Sequence, residues 1–117
     1  MKINNYRKAG FTLVEIMIVV AIIALLAAIA IPNFVKARTA SQKSACIANL
    51  KQIDGAKATW ALEAKKVNTD TPVATDLYGS TAYIRVEPGC PAGGTYTIGT
   101  VAVRPECSLK TTEGHTY

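Results

Sequence analysis

At 117 residues the chain has room for one modest domain and one further segment. Half of its residues are apolar, and much of the excess lies before Val35, which leaves the remainder with the composition of an ordinary small soluble domain. The formal charge of +5 overstates the basic surface, because Lys2, Arg7 and Lys8 all precede Phe11; beyond them ten basic side chains face eight acidic ones, which argues against a nucleic-acid partner.

Residues 1–10 are short, polar and basic, and they abut an apolar run directly, as an export signal does. Between Phe11 and Val35 only Thr12, Glu15 and Asn33 are polar. As a helix rising about 1.5 Å per residue, this stretch reaches roughly 37 Å, enough to cross a hydrocarbon core of about 30 Å. It is apolar on every side, so lipid or protein must surround it. A conventional secretory signal is the rival, and Ala28-Ile29-Ala30 supplies a matching cleavage site. The run to Ile31 is too long for such a signal, however, and a carboxylate inside it would serve no purpose. An uncleaved membrane anchor is a further alternative.

Gly10-Phe11-Thr12-Leu13-Val14-Glu15, with a basic leader before it and Pro32 beyond, resembles the processing site of type IV pilin-like proteins, the family of type IV pilins and type II secretion pseudopilins. The resemblance strictly covers about 25 residues. It implies that a prepilin peptidase cleaves between Gly10 and Phe11 and methylates the new amine of Phe11. It also implies that Glu15 of one subunit meets that amine on the next, setting register during assembly from the inner membrane on an assembly platform. Physical chemistry supplies parallel reasons. A carboxylate near the end of a membrane helix carries a real cost and usually has a partner. Within a single helix, Glu15 also meets the positive end of the macrodipole.

Pro32 lacks an N–H and its ring crowds the carbonyl of Ala28, which predicts a kink or loosened turn; the alternative is that the helix ends there. From Phe34 to Lys66 there is no further proline, and Ile47, Leu50, Ile53, Ala56 and Trp60 recur at helical spacing. Lys36, Arg38, Lys43, Lys51 and Lys57 lie largely outside that stripe and are expected to form a solvated face. Residues 67–75 read as a loop, and Asp76, Leu77 and Tyr78 as a turn or short helical piece. Ala82 to Val86, Thr95 to Ile98 and Glu106 to Leu109 are expected strands, kept short by Pro88, Pro91 and Pro105.

Cys90 and Cys107 bracket the predicted hairpin, so a disulfide between them is the favoured staple, worth about 3 kcal/mol in the chain-entropy model. Cys46, on the helix, reads as a small core residue or a free thiol, and pairings that use it stay open. A metal centre built from Cys90, Cys107 and His115 lacks C-x-x-C spacing and a fourth ligand, so no metal or cofactor is expected. His115 reads as a surface or edge residue. No nucleophile, base and orienting carboxylate stand out together, which argues against an enzyme.

The expected architecture is α+β: a long kinked N-terminal helix packed against a small antiparallel sheet. It divides into a basic leader (1–10), a hydrophobic membrane or filament-core helix (11–35) and a soluble domain (36–117). The expected function is that of a structural filament subunit, in a surface pilus or a periplasmic pseudopilus, packed against copies of itself or other pilin-like subunits. Short length and a single hairpin suit a small major subunit. The competing class is a membrane-anchored or secreted binding module for DNA or a secreted protein; Phe34, Trp60, Tyr78, Tyr83, Tyr96 and Tyr117 do not cluster with basic residues as such a module would require. Three basic residues on either side of the run leave the membrane orientation open, and the cysteines favour a domain outside the cytoplasm.

Overall fold

A computed structural model describes residues 8–117; most of the predicted leader, 1–7, lies outside the described residues. The element order is α1 (Leu13–Glu63), α2 (Ala74–Leu77), β1 (Tyr96–Thr97) and β2 (Glu106–Cys107). The chain separates into two units with the boundary between Lys36 and Ala37, and α1 contributes to both.

In the first unit, the helix is long and apolar enough to cross a membrane. Every large apolar side chain from Phe11 to Phe34 is exposed, so among the described residues nothing covers that surface. Pro32 lies inside the helix without ending it, so the reading in which it closes the apolar segment is set aside. The helix tolerates proline here because the missing N–H costs a single rung, while the bonds on either side continue.

The second unit is built on the face that α1 presents from Gln42 to Ala61. Cys46, Leu50, Ile53, Ala56, Lys57, Trp60 and Ala61 are buried, at the spacing that keeps a helix on one side. Two clusters result. Ile53, Ala56, Trp60 and Ala61 pack with Leu77 and Ile84, while Cys46 and Leu50 pack with Cys90 and Cys107. The helix ends by a left-handed residue, Lys65 at φ 54°, and the Lys66 N–H reaches back to the Ala61 carbonyl at 2.8 Å.

The sheet is antiparallel, pairing Tyr96 with Cys107 and Thr97 with Glu106. The hairpin is therefore where the sequence places it, but each strand is two residues long. The expected strand at Ala82–Val86 does not form. After α2 the chain turns at Gly79 and doubles back, so that Ile84 makes one parallel bridge to Tyr78 and its N–H bonds the Leu77 carbonyl at 2.9 Å. With so tight a return, no partner edge is long enough to continue the ladder.

Lys57 departs most clearly from the expected solvated face. It is 1% exposed. Its ammonium donates to the carbonyls of Ile98, at 3.0 Å, and Val103, and lies 3.8 Å from Asp54. The long side chain thus passes beneath the 98–103 turn and ties it to the helix, so burial is offset by full use of the charged head. Burial pushes its pKa below the ordinary lysine value, against the opposing pull of Asp54.

Candidate functional site

The residues singled out by the sequence fall into two places. The first is the start of α1. The opening N–H groups of any helix lack intrahelical acceptors. Here the Glu15 N–H donates to the Thr12 hydroxyl at 3.2 Å, and Glu15 Oε2 accepts from the Thr12 N–H at 2.7 Å and from its hydroxyl at 3.1 Å. This is a capping box, signalled by the Thr-x-x-Glu spacing. The helix-dipole reading of Glu15 understated it, since the carboxylate has a specific local partner within its own chain. Gly10 and Phe11 precede the helix and are exposed. A Cβ built on Gly10 meets nothing within 4 Å, so the fold makes no demand for glycine there.

The second place is where the sequence saw separate parts. Cys46 of α1, Cys90 of the loop before β1, Cys107 of β2 and His115 are all buried, and their ligating atoms lie within 4.8 Å of one another. His115 is 0% exposed, against the expectation of a surface position. Among the described residues the three cysteines are free thiols, without the expected Cys90–Cys107 bridge. The spacing argument weighed those two alone, whereas the fold brings Cys46 and His115 to the same point. His115 Nδ1 lies 3.6 Å from Cys90 Sγ and 4.0 Å from Cys107 Sγ.

Local structure explains how these groups converge. Gln42 and Asn49 donate side-chain bonds to the carbonyls of Pro91 and Gly89, both at 3.1 Å, flanking Cys46 and docking the Cys90 loop onto α1. That loop turns through Gly93, whose N–H bonds the Cys90 carbonyl at 2.9 Å. Beyond β2 the chain turns again, and Gly114, at φ 67°, swings His115 inward. Burial raises the Cys90 pKa, but the N–H groups of Ala92 and Gly94, with His115 and Cys46, outweigh it and hold the thiol at about 7. Cys46 ends on the other side of the ordinary thiol value, because burial pushes it up to about 12 against a hydrogen bond with Tyr96.

Gly94 sets the closeness of this packing. A Cβ there would stand 2.7 Å from Cys107 Sγ and 3.1 Å from Leu109 Cγ. Gly94→Ala is therefore expected to lower stability by about 1–3 kcal/mol, the usual cost of overpacking. Denaturant titration checks this, and an unchanged midpoint would show that the sulfur moves aside freely.

Comparison with known proteins bears on the first place. Residues 5–31 match the family model for the prokaryotic N-terminal methylation motif. The chain is 59% identical over 49 residues to the type IV major pilin protein PilA of Myxococcus xanthus, covering 42% of this chain and 22% of that one. It is 48% identical over 59 residues to the type IV major fimbrial protein FimA of Dichelobacter nodosus, covering 50% and 37%. A fimbrial protein of Pseudomonas aeruginosa is 42% identical over 67 residues, covering 56% and 44%. The chain thus spans less than half the length of these relatives. No solved structure matches it. A long N-terminal helix with a small antiparallel sheet defines an α+β class. Within that class the N-terminal segment carries the methylation motif and is similar to those of type IV pilins and fimbrial proteins.

Proposed function

We propose that the chain is a structural, non-catalytic subunit of a type IV pilus-like filament, made with a leader that a prepilin peptidase cuts between Gly10 and Phe11 before methylating Phe11. The observation that carries this reading is the methylation-motif match over residues 5–31, whose part from Leu13 onward lies on a helix with apolar side chains that no described residue covers. Gly10 adds support, because a glycine that the fold does not require is one that a peptidase could. The subunit would wait in the inner membrane with its sheet-bearing part outside the cytoplasm, then pass to an assembly platform. There the apolar helices of successive copies would exchange lipid for one another. A head-to-tail contact whose rotation does not close gives a filament. The relatives are named as pilins and fimbrial proteins, which favours a surface pilus over the type II secretion pseudopilus.

Mass spectrometry of the mature N-terminus tests the first step. A chain beginning at methylated Phe11 is expected; one beginning at Ile31, or retaining Met1, sinks the proposal. Glu15 provides the second test. In the free subunit it is held by Thr12, and in the filament it would trade that partner for the Phe11 amine of a neighbour. Glu15→Ala should leave cleavage intact while reducing surface filaments at least tenfold in quantitative shear preparations. Glu15→Gln, which keeps the cap but loses the charge, separates the two roles: if filaments form normally with Gln, capping alone is what matters.

A further inference from the structure

We infer that Cys46, Cys90, Cys107 and His115 form a closed tetrahedral site for Zn2+ that staples the second unit together. The donor set is three thiols and one imidazole, all buried, with ligating atoms within 4.8 Å of one another. Tetrahedral zinc with Zn–S near 2.3 Å and Zn–N near 2.0–2.1 Å has S–N edges of about 3.6 Å and S–S edges of about 3.8 Å. The 3.6 Å from Cys90 Sγ to His115 Nδ1 already has that edge length, and the 4.0 Å from Cys107 Sγ needs a contraction of a few tenths of an ångström. Sulfur donors in this number select zinc over calcium or magnesium, which take oxygen ligands. The burial of all four residues leaves no open position for a reacting water, which marks a structural rather than a catalytic site.

The surroundings fit the same purpose. His115 presents Nδ1 to the sulfurs, while its other nitrogen, Nε2, lies 3.2 Å from Glu113 Oε2, off the line of a hydrogen bond and with no other polar partner among the described residues. A small rotation of the Glu113 carboxylate would complete the carboxylate–histidine–metal arrangement that fixes the tautomer of a ligating imidazole. The N–H groups of Ala92 and Gly94 bond Cys90 and would stabilise its sulfur as a thiolate. Gly94 leaves room for Cys107 Sγ, where a Cβ would collide at 2.7 Å. A disulfide between any two of the cysteines would use half of this constellation and leave a third buried thiol and a buried imidazole unexplained. The ion would instead join α1, the Cys90 loop, β2 and the Gly114 turn at one point. This inference rests on the cluster alone and holds whether or not the chain polymerises.

The test uses the full chain in detergent micelles, reduced without a metal-binding thiol and titrated with Zn2+ or Co2+. One ion per chain is expected, with the intense visible bands of tetrahedral Co2+ and a sulfur-to-cobalt charge-transfer band, and zinc should displace the cobalt. Cys46→Ser and His115→Asn should each weaken binding at least tenfold, and Glu113→Gln should keep one ion per chain with affinity lowered about 10–100-fold. The idea is overturned if the unaltered chain takes up no Co2+ or gives the weak spectrum of octahedral Co2+. Uptake unchanged by Cys46→Ser, or a natively purified chain that holds a Cys90–Cys107 disulfide and no zinc, overturns it equally. Because the first measurement uses the unaltered chain, a variant that fails to fold does not protect the proposal.

Discussion

Leu50→Ala is expected to destabilise the second unit by about 2–5 kcal/mol, the range for a buried leucine whose cavity cannot collapse. Leu50 is 0% exposed and packs in the cluster of Cys46, Cys90 and Cys107. Its neighbours are poorly placed to fill the gap. Cys46 is fixed on the same helix one turn earlier, and the Cys90 loop is docked on α1 through Gln42 and Asn49. A unit of about 80 residues has only roughly 4–12 kcal/mol of stability in all, so the substitution removes a large share of it. Trp60 is the single tryptophan and is almost wholly buried in the neighbouring cluster, so its fluorescence reports unfolding directly. A change of less than about 1 kcal/mol in a urea titration would mean that the two clusters repack freely around the helix.

Lys57→Ala is expected to cost about 3 kcal/mol, because it both empties the channel beneath the 98–103 turn and strands carbonyl groups that the ammonium satisfied. Lys57→Met separates these contributions. It keeps the unbranched stem and loses only the donors, so it should cost about 1–2 kcal/mol. Equal losses in the two variants would assign the role to polar bonding alone. The pH dependence has a defined sign. Since the folded-state pKa lies below the ordinary value of 10.5, the unfolded chain holds more protons between the two values. The Lys57 contribution to stability therefore rises with pH across that alkaline window and is least favourable below it. Lys57→Met has no such titration, so the gap in stability between wild type and Met should widen as pH approaches 10.5 from below. A gap that narrows would contradict the assignment.

What the sequence could reveal followed the range over which each signal acts. The apolar run and the Gly10, Phe11 and Glu15 pattern are local, and so is the hairpin, whose paired residues Tyr96, Thr97, Glu106 and Cys107 all fall inside the two expected strands. The helical stripe was legible through Leu50, Ile53, Ala56 and Trp60, but Ile47 is only half buried and Cys46 takes the inner position. Lys57 was misplaced because hydropathy treats lysine as a solvent residue, whereas its burial depends on carbonyls 41 and 46 positions away. Long-range closure explains the thiol–imidazole cluster as well. His115 is 25 residues from Cys90, and Cys46 is further still, so no spacing rule could join them. Only the turn at Gly114 and the docking of the Cys90 loop on α1 bring the fourth group to the other three. Ala82–Val86 failed for the opposite reason: its alternation is real, but a strand also needs a neighbour, and the return after Gly79 supplies one bridge.

The brevity of β1 and β2 bears on how copies of this chain could meet. A longer strand would carry a row of unpaired N–H and C=O groups along its outer edge, open to any chain with a similar edge. With two residues each, these strands offer a neighbour almost no ladder to extend. A protein proposed to be stored at high local density in a membrane, and then to associate in one geometry, gains from having few wrong ways to stick. Its sheet is close to inert toward other sheets, which leaves the exposed helix as the surface through which the proposed association would be encoded.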